Sequence, residues 1–221
     1  FSGPVQHLHG DPNFKESLEE TIGNHTFELV IAMYGRIRFE AEVMKRRTSR
    51  FIAATGCVYQ EGAQQPILET APLKTEPKFF QQIEVTEQLI MENHKRGEYS
   101  ATILRFPSVY GPRQTIPQDY SVVKRILDGR KQFIIPDSGL VFSSMGFSDN
   151  VANAVLLAVD KSKECDGQIY NVRDDAQLTF RQRVELISNL MNYRLELVNI
   201  PFELARPSWP SITAVRWFDT E

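Results

Sequence analysis

Short apolar runs, several of them β-branched, alternate with longer amphipathic stretches along this chain, and that order constrains the fold more than any single residue does. Residues 5–9 form a β-like run ending in Gly10-Asp11-Pro12. A polar helical stretch, 13–22, follows and is closed by Gly23-Asn24 as a C-cap signal. Residues 27–33 read as a buried strand, 37–47 as a helix and 50–54 as a second buried strand. A loop with Gly and Pro spans 56–77, and 79–95 has strong helical spacing. Residues 101–106 form a strand that Pro107 breaks. Beyond it, 122–127 is helical, 132–136 a strand, 150–159 an apolar helix and 168–172 a strand. Thr179 is the expected N-cap of a helix reaching Leu190, and 195–200 is a last short strand. Strand and helix in alternation imply a parallel sheet covered on both faces.

The chain has 221 residues, enough for one domain with a substantial core and a small appended lobe. A net charge of −3 gives a nucleic-acid partner no support. The run Lys45-Arg46-Arg47 sits at the end of a helical pattern, where cations suit the helix dipole. No apolar run is long enough for a membrane span. Cys57 and Cys165 form no CxxC pair, so neither a metal site nor a disulfide framework is expected, and reduced thiols fit a cytoplasmic setting.

Several stretches, in order, resemble the extended short-chain dehydrogenase/reductase superfamily of NAD-dependent epimerases and dehydratases. They are Gly10-Asp11, the 51–59 run ending Thr55-Gly56-Cys57-Val58-Tyr59, and the 104–113 run Leu-Arg-Phe-Pro-Ser-Val-Tyr-Gly-Pro-Arg. Phe147-Ser148-Asp149-Asn150-Val151-Ala152 and Gly167-Gln168-Ile169-Tyr170-Asn171, the latter followed by Leu178-Thr179, complete the series. The resemblance implies an α/β fold, a Rossmann-like doubly wound parallel sheet with a small C-terminal substrate lobe. Residues 1–112 would be the remainder of the dinucleotide-binding domain, and 113–221 the mixed substrate lobe with returning Rossmann elements.

Two features of the family are not found. One is the Gly-rich turn that brings backbone N–H groups to the cofactor pyrophosphate. The chain resembles the family from about its third strand, so a strand–helix–strand of about 60 residues carrying that turn is expected before Phe1. The other is Tyr-x-x-x-Lys, in which a phenol exchanges protons and the ammonium one turn along lowers its pKa. Aligning on Glu87 puts Phe79 and Ile83 at those places, and a shift by one puts Phe80 and Glu84 there. Neither register supplies a phenol or an ammonium.

The resemblance places the cofactor, NAD or NADP, against Asp11, Met33, Tyr34, Gly35, Thr55, Pro107, Ser108 and Val109. The plainer reading of Asp11 is a turn residue before Pro12. Thr55 stands at the family's catalytic Ser/Thr position, and its hydroxyl could hydrogen-bond a substrate oxygen or merely cap a turn. Tyr110 and Tyr59 are candidates for a relocated acid, against the plainer reading of packed aromatics. Arg113 could hold a substrate phosphate or carboxylate, whereas Arg105, within a strand, reads as a structural ion pair. His7 and His9 alternate on one run but lack further ligands for a metal.

The leading expectation is an NAD(P)-binding, epimerase/dehydratase-like enzyme with a non-standard active site. Its expected partners are a small nucleotide-linked or similar polar substrate and, compatibly, a second copy of the chain. The alternatives are a non-catalytic binding or regulatory member of the fold and, last, an RNA-binding one.

Overall fold

The computed structural model describes residues 4–60, 66–76, 78–114, 118–201 and 204. In chain order its elements are α1 (Lys15–Ile22), β1 (Phe27–Ala32), α2 (Ile37–Val43), β2 (Thr48–Gly56), α3 (Lys78–Lys95), β3 (Ser100–Phe106), β4 (Ser108–Tyr110), α4 (Gln118–Leu127), β5 (Gln132–Pro136), β6 (Phe142–Ser143), β7 (Met145–Phe147), α5 (Ser148–Asp160), β8 (Gln168–Asn171), β9 (Leu178–Thr179), α6 (Phe180–Leu190) and β10 (Glu196–Ile200). Two compact units share the chain in alternation. One comprises 1–56, 75–105 and 154–171, the other 57–74, 106–153 and 172–221. The single division expected at 112/113 is one cut and falls inside the second unit's 106–153 segment.

The first unit holds a four-stranded sheet in the order β1-β2-β3-β8, with β1 parallel to β2 and β3 parallel to β8. The central strands are β-branched and apolar because both of their faces are covered. Phe51, Ala53, Ala101 and Ile103 are fully buried, together with Ile90 of α3 and Ala41 of α2. Burying each large side chain among these contributes about 1.5–3 kcal/mol. Two devices tie the layers together. Arg50 on β2 donates to the carbonyls of Ala158 and Val159 at the end of α5, where a cation suits the helix dipole. Tyr99 donates to the Ala41 carbonyl at 3.2 Å and accepts from the Asn93 amide at 3.0 Å, and burial pushes its phenol up to about 12.

Three expectations are corrected here. Residues 5–9 form no strand; they are exposed and without regular structure. The run meets no pairing edge among the described residues. The strand expected to be buried at 27–33 is partly exposed: among the described residues β1 pairs with β2 along one edge, and Ile31 is 41% exposed. The helix expected to run to residue 47 ends at Val43. Arg46 then takes a positive φ of 56°. The basic run thus serves the turn rather than the helix end. Lys45 reaches Glu42 at 2.7 Å, Arg46 reaches Glu98 at 3.1 Å, and Arg47 donates to the Gly23 carbonyl.

The second unit is built from strand pairs: β4 parallel to β7, β5 parallel to β10, and β6 antiparallel to β9. Its core joins Val122 and Ile126 of α4, Phe133 and Ile135 of β5, and Phe180 and Val184 of α6. Thr179 caps α6 as expected. Its hydroxyl accepts the Gln182 N–H at 3.2 Å, and the Gln182 side chain returns a bond to the Thr179 N–H at 2.9 Å. No helix among the described residues is long and apolar enough to cross a membrane.

Candidate functional site

In the first unit, the pairing of Ala32 with Ala53 brings two chain segments to the same carboxyl edge of the sheet. One is Met33-Tyr34-Gly35 after β1; the other is Thr55, at the end of β2. In parallel α/β sheets this edge is where ligands bind. Asp11 joins the group through its neighbour. The Pro12 carbonyl accepts the Arg36 N–H at 3.3 Å, and a Cβ on Gly35 would lie 2.6 Å from the Pro12 ring. Gly35, with φ +82°, is the residue that permits this approach. Asp11 itself forms an Asx turn: its Oδ1 accepts from the backbone and side chain of Asn13 at 2.9 and 3.0 Å. Met33 is 53% and Tyr34 78% exposed.

Thr55 is half-buried, and its hydroxyl donates to Glu87 Oε1 at 2.7 Å. Glu87 lies on α3 and is itself gripped by Arg105 of β3, Nε to Oε1 at 3.0 Å and Nη2 to Oε2 at 2.7 Å. Both charged side chains are 5% exposed. The ion pair read for Arg105 therefore has its partner, and the same carboxylate orients Thr55. The side chain of Phe79 lies outside the described residues. In the alternative register Phe80 is buried at 4% exposure, as an apolar core residue would be, and Glu84 supplies a carboxylate.

The remaining candidates are described with the second unit. A Cβ on Gly146 would come within 2.9 Å of the Pro107 ring, so β7 packs closely on Pro107. The Ser108 N–H donates to the Ser144 carbonyl at 3.1 Å, and Val109 is 38% exposed. Tyr59 is buried, its backbone bridged to Leu73. Tyr110 is half-buried under the Arg183 guanidinium, which lies 4.4 Å from its ring centroid. Burial, then its hydrogen bond to Asp174, raise the Tyr110 pKa and hold the phenol protonated. Asp174 accepts the Phe147 N–H at 3.0 Å and the Asn150 amide at 2.8 Å. Burial alone would raise its carboxyl, but those bonds, the phenol and Arg183 outweigh it and leave it below the usual range. Arg183 is matched bidentately by Asp119 at 2.6 Å on both arms. Arg113 is exposed, with φ +65° and no ion pair among the described residues.

Glu87, Asp174, Arg183 and Glu40 escaped the sequence reading as site or network members. Burial pushes the Glu40 carboxyl up to about 7, and its Oε1 has no hydrogen-bond partner. Glu87 served only as an alignment anchor; its spacing from Arg105 carries no periodic signal. No group of three or more His, Cys, Asp or Glu suited to a metal exists among the described residues.

A parallel sheet with helices, carrying loops at its carboxyl edge, is the architecture of Rossmann-type proteins. The sequence pattern of the NAD dependent epimerase/dehydratase family matches residues 13–172, and the chain belongs to that family. An uncharacterised protein, y4nL, from Sinorhizobium fredii is 30% identical over 111 residues, which span 48% of this chain and 30% of that protein. The chain is similar in structure to RMD from Pseudomonas aeruginosa complexed with NADPH, with TM-score 0.75, 19% identity, and 90% of this chain and 77% of that one covered. It is similar also to UDP-glucose 4-epimerase from Thermotoga maritima with UDP-glucose, with TM-score 0.73, 22% identity, and coverage of 90% and 75%. A third is dTDP-glucose 4,6-dehydratase from Bacillus anthracis in complex with NAD, with TM-score 0.72, 16% identity, and coverage of 95% and 78%. At these identities the likeness establishes the fold.

Proposed function

We propose that this protein binds NAD or NADP and acts on a nucleotide-linked or similarly polar small molecule, by a route that does not use a Tyr–Lys pair. The observation that carries this reading is the convergence of Met33-Tyr34-Gly35, the Asp11 turn and Thr55 at one sheet edge. The exposed Tyr34 ring suits the adenosine part of a dinucleotide, and Gly35 lets the Asp11-Pro12 turn pack against it. By the family resemblance, Pro107, Ser108 and Val109 are further cofactor candidates and Arg113 a candidate for a substrate phosphate or carboxylate. The cofactor, when bound, supplies hydride acceptance and return. The chain's own part is to position the substrate and to hold protons at stated atoms. A cytoplasmic location and a homodimer complete the reading.

A second reading, binding without turnover, is favoured by the state of the proton-bearing groups. The Thr55 hydrogen is taken up by Glu87, Tyr110 is held protonated against Asp174, and Tyr59 is buried. Turnover of UDP-sugars by the full-length protein with NAD and NADP separates the two. Loss of about 10²–10⁴ in rate on Tyr110→Phe or Tyr59→Phe would identify the acid. Ordinary turnover that survives both substitutions would rule these donors out. Cofactor binding without turnover, with activity appearing in Phe79→Tyr/Ile83→Lys, would establish the binding reading.

A further inference from the structure

We infer that Thr55 meets its ligand as a hydrogen-bond acceptor only, held in that polarity by the buried Glu87–Arg105 pair, so that the ligand group facing it must be a donor such as a hydroxyl. The inference rests on the proposed polar substrate for its ligand, but not for its geometry. A threonine hydroxyl has one hydrogen and two lone pairs. Here the hydrogen lies toward Glu87 Oε1, 2.7 Å away. It belongs to the hydroxyl, because both carboxylate oxygens already face guanidinium N–H donors of Arg105, at 3.0 and 2.7 Å. Guanidinium cannot accept a hydrogen bond, so the fork fixes Glu87 as the acceptor throughout. With both charged side chains 5% exposed, water competes poorly for either oxygen.

The half-buried Thr55 oxygen is thus left with lone pairs to offer at the sheet's carboxyl edge. A ligand hydroxyl there finds an acceptor. A carbonyl or alkoxide oxygen finds lone pair against lone pair. Thr55 therefore favours the alcohol form of a ligand over its oxidised form, and it is not a donor to developing negative charge. Glu87 is a positioning residue that acts through Thr55.

Two measurements test this on the full-length protein. In the free protein, proton NMR should show a slowly exchanging hydroxyl resonance that disappears in Thr55→Val and returns in Thr55→Ser. A Thr55 hydroxyl exchanging as fast as a solvated one overturns the assignment. Calorimetric binding is then compared for UDP-glucose and its four monodeoxyfluoro analogues, since fluorine cannot donate. One analogue should bind about tenfold more weakly than UDP-glucose, as expected for an unmatched polar group in a partly desolvated site. That difference should vanish in Thr55→Val. It should shrink in Glu87→Gln, where the amide N–H faces Thr55 and the hydroxyl hydrogen is released to donate. Equal binding of every analogue, or discrimination that survives Thr55→Val, overturns the inference. Should UDP-glucose not bind at all, the substrate reading fails, and the NMR result decides the polarity of Thr55 by itself. Thr55→Val, being isosteric and leaving the ion pair whole, keeps the test open if Glu87→Gln does not fold.

Discussion

Glu87 and Arg105 satisfy each other inside the first unit, and breaking such a pair strands a buried charge. Glu87→Ala is expected to lower unfolding stability by about 3–5 kcal/mol, read from urea denaturation, with Thr55→Val costing far less. Glu40 carries a pH dependence. Its folded carboxyl titrates at about 7 against 4.5 for the free group, because burial penalises the charged form. The fold thus binds this proton more tightly than the unfolded chain does. Its stabilising effect is complete below about pH 4.5 and is lost as pH rises through about 7. Glu40→Gln should therefore raise Tm at pH 8 and leave it unchanged near pH 4.5. Equal effects at both pH values would show that Glu40 does not titrate in this window. Thr55 was legible as a site candidate from its spacing to Val58 and Tyr59. Its partner was not, because Glu87 lies 32 residues away and only the approach of α3 to β2 joins them.

Helices and central strands followed the sequence closely, because their signals are local. The Thr179/Gln182 capping box is one case, and Thr179→Ala should cost about 1 kcal/mol, measured by thermal or urea unfolding. The failures were of the other kind. The 27–33 run has the composition of a buried strand, yet among the described residues it has β2 alongside on one flank alone, and burial depends on what lies alongside. Residues 5–9, with Val5 and Leu8 as a short β-like run, find no partner among the described residues. The basic run at 45–47 lies beyond the helix, which ends at Val43, and Arg46, at φ 56°, marks the turn that follows.

Across the whole molecule, the family resemblance was read from motifs whose order survives at low identity, and it covers most of the chain. A return of the chain to the first unit was read as Rossmann elements within 113–221, but the points of crossing were not legible, since no composition shift or linker marks where the chain leaves one unit and enters the other. This has an experimental outcome. A fragment of residues 1–112 ends before β8, so β3 loses its outer partner and Arg50 loses the α5 carbonyls. Such a fragment should show no cooperative thermal transition and little amide protection, whereas the whole chain should protect β2 and β3 best. A fragment with native-like protection at Phe51 and Ile103 would refute this.

The same alternation sets a timetable for synthesis. The ribosome releases β3 roughly 60 residues before β8. At about 5–20 residues per second, the apolar flank of β3 waits several seconds for its neighbour while the strands of the other unit emerge. A nascent chain of this protein therefore carries an open, hydrophobic strand edge for most of that interval. It is a natural client for whatever shields nascent chains at the tunnel exit.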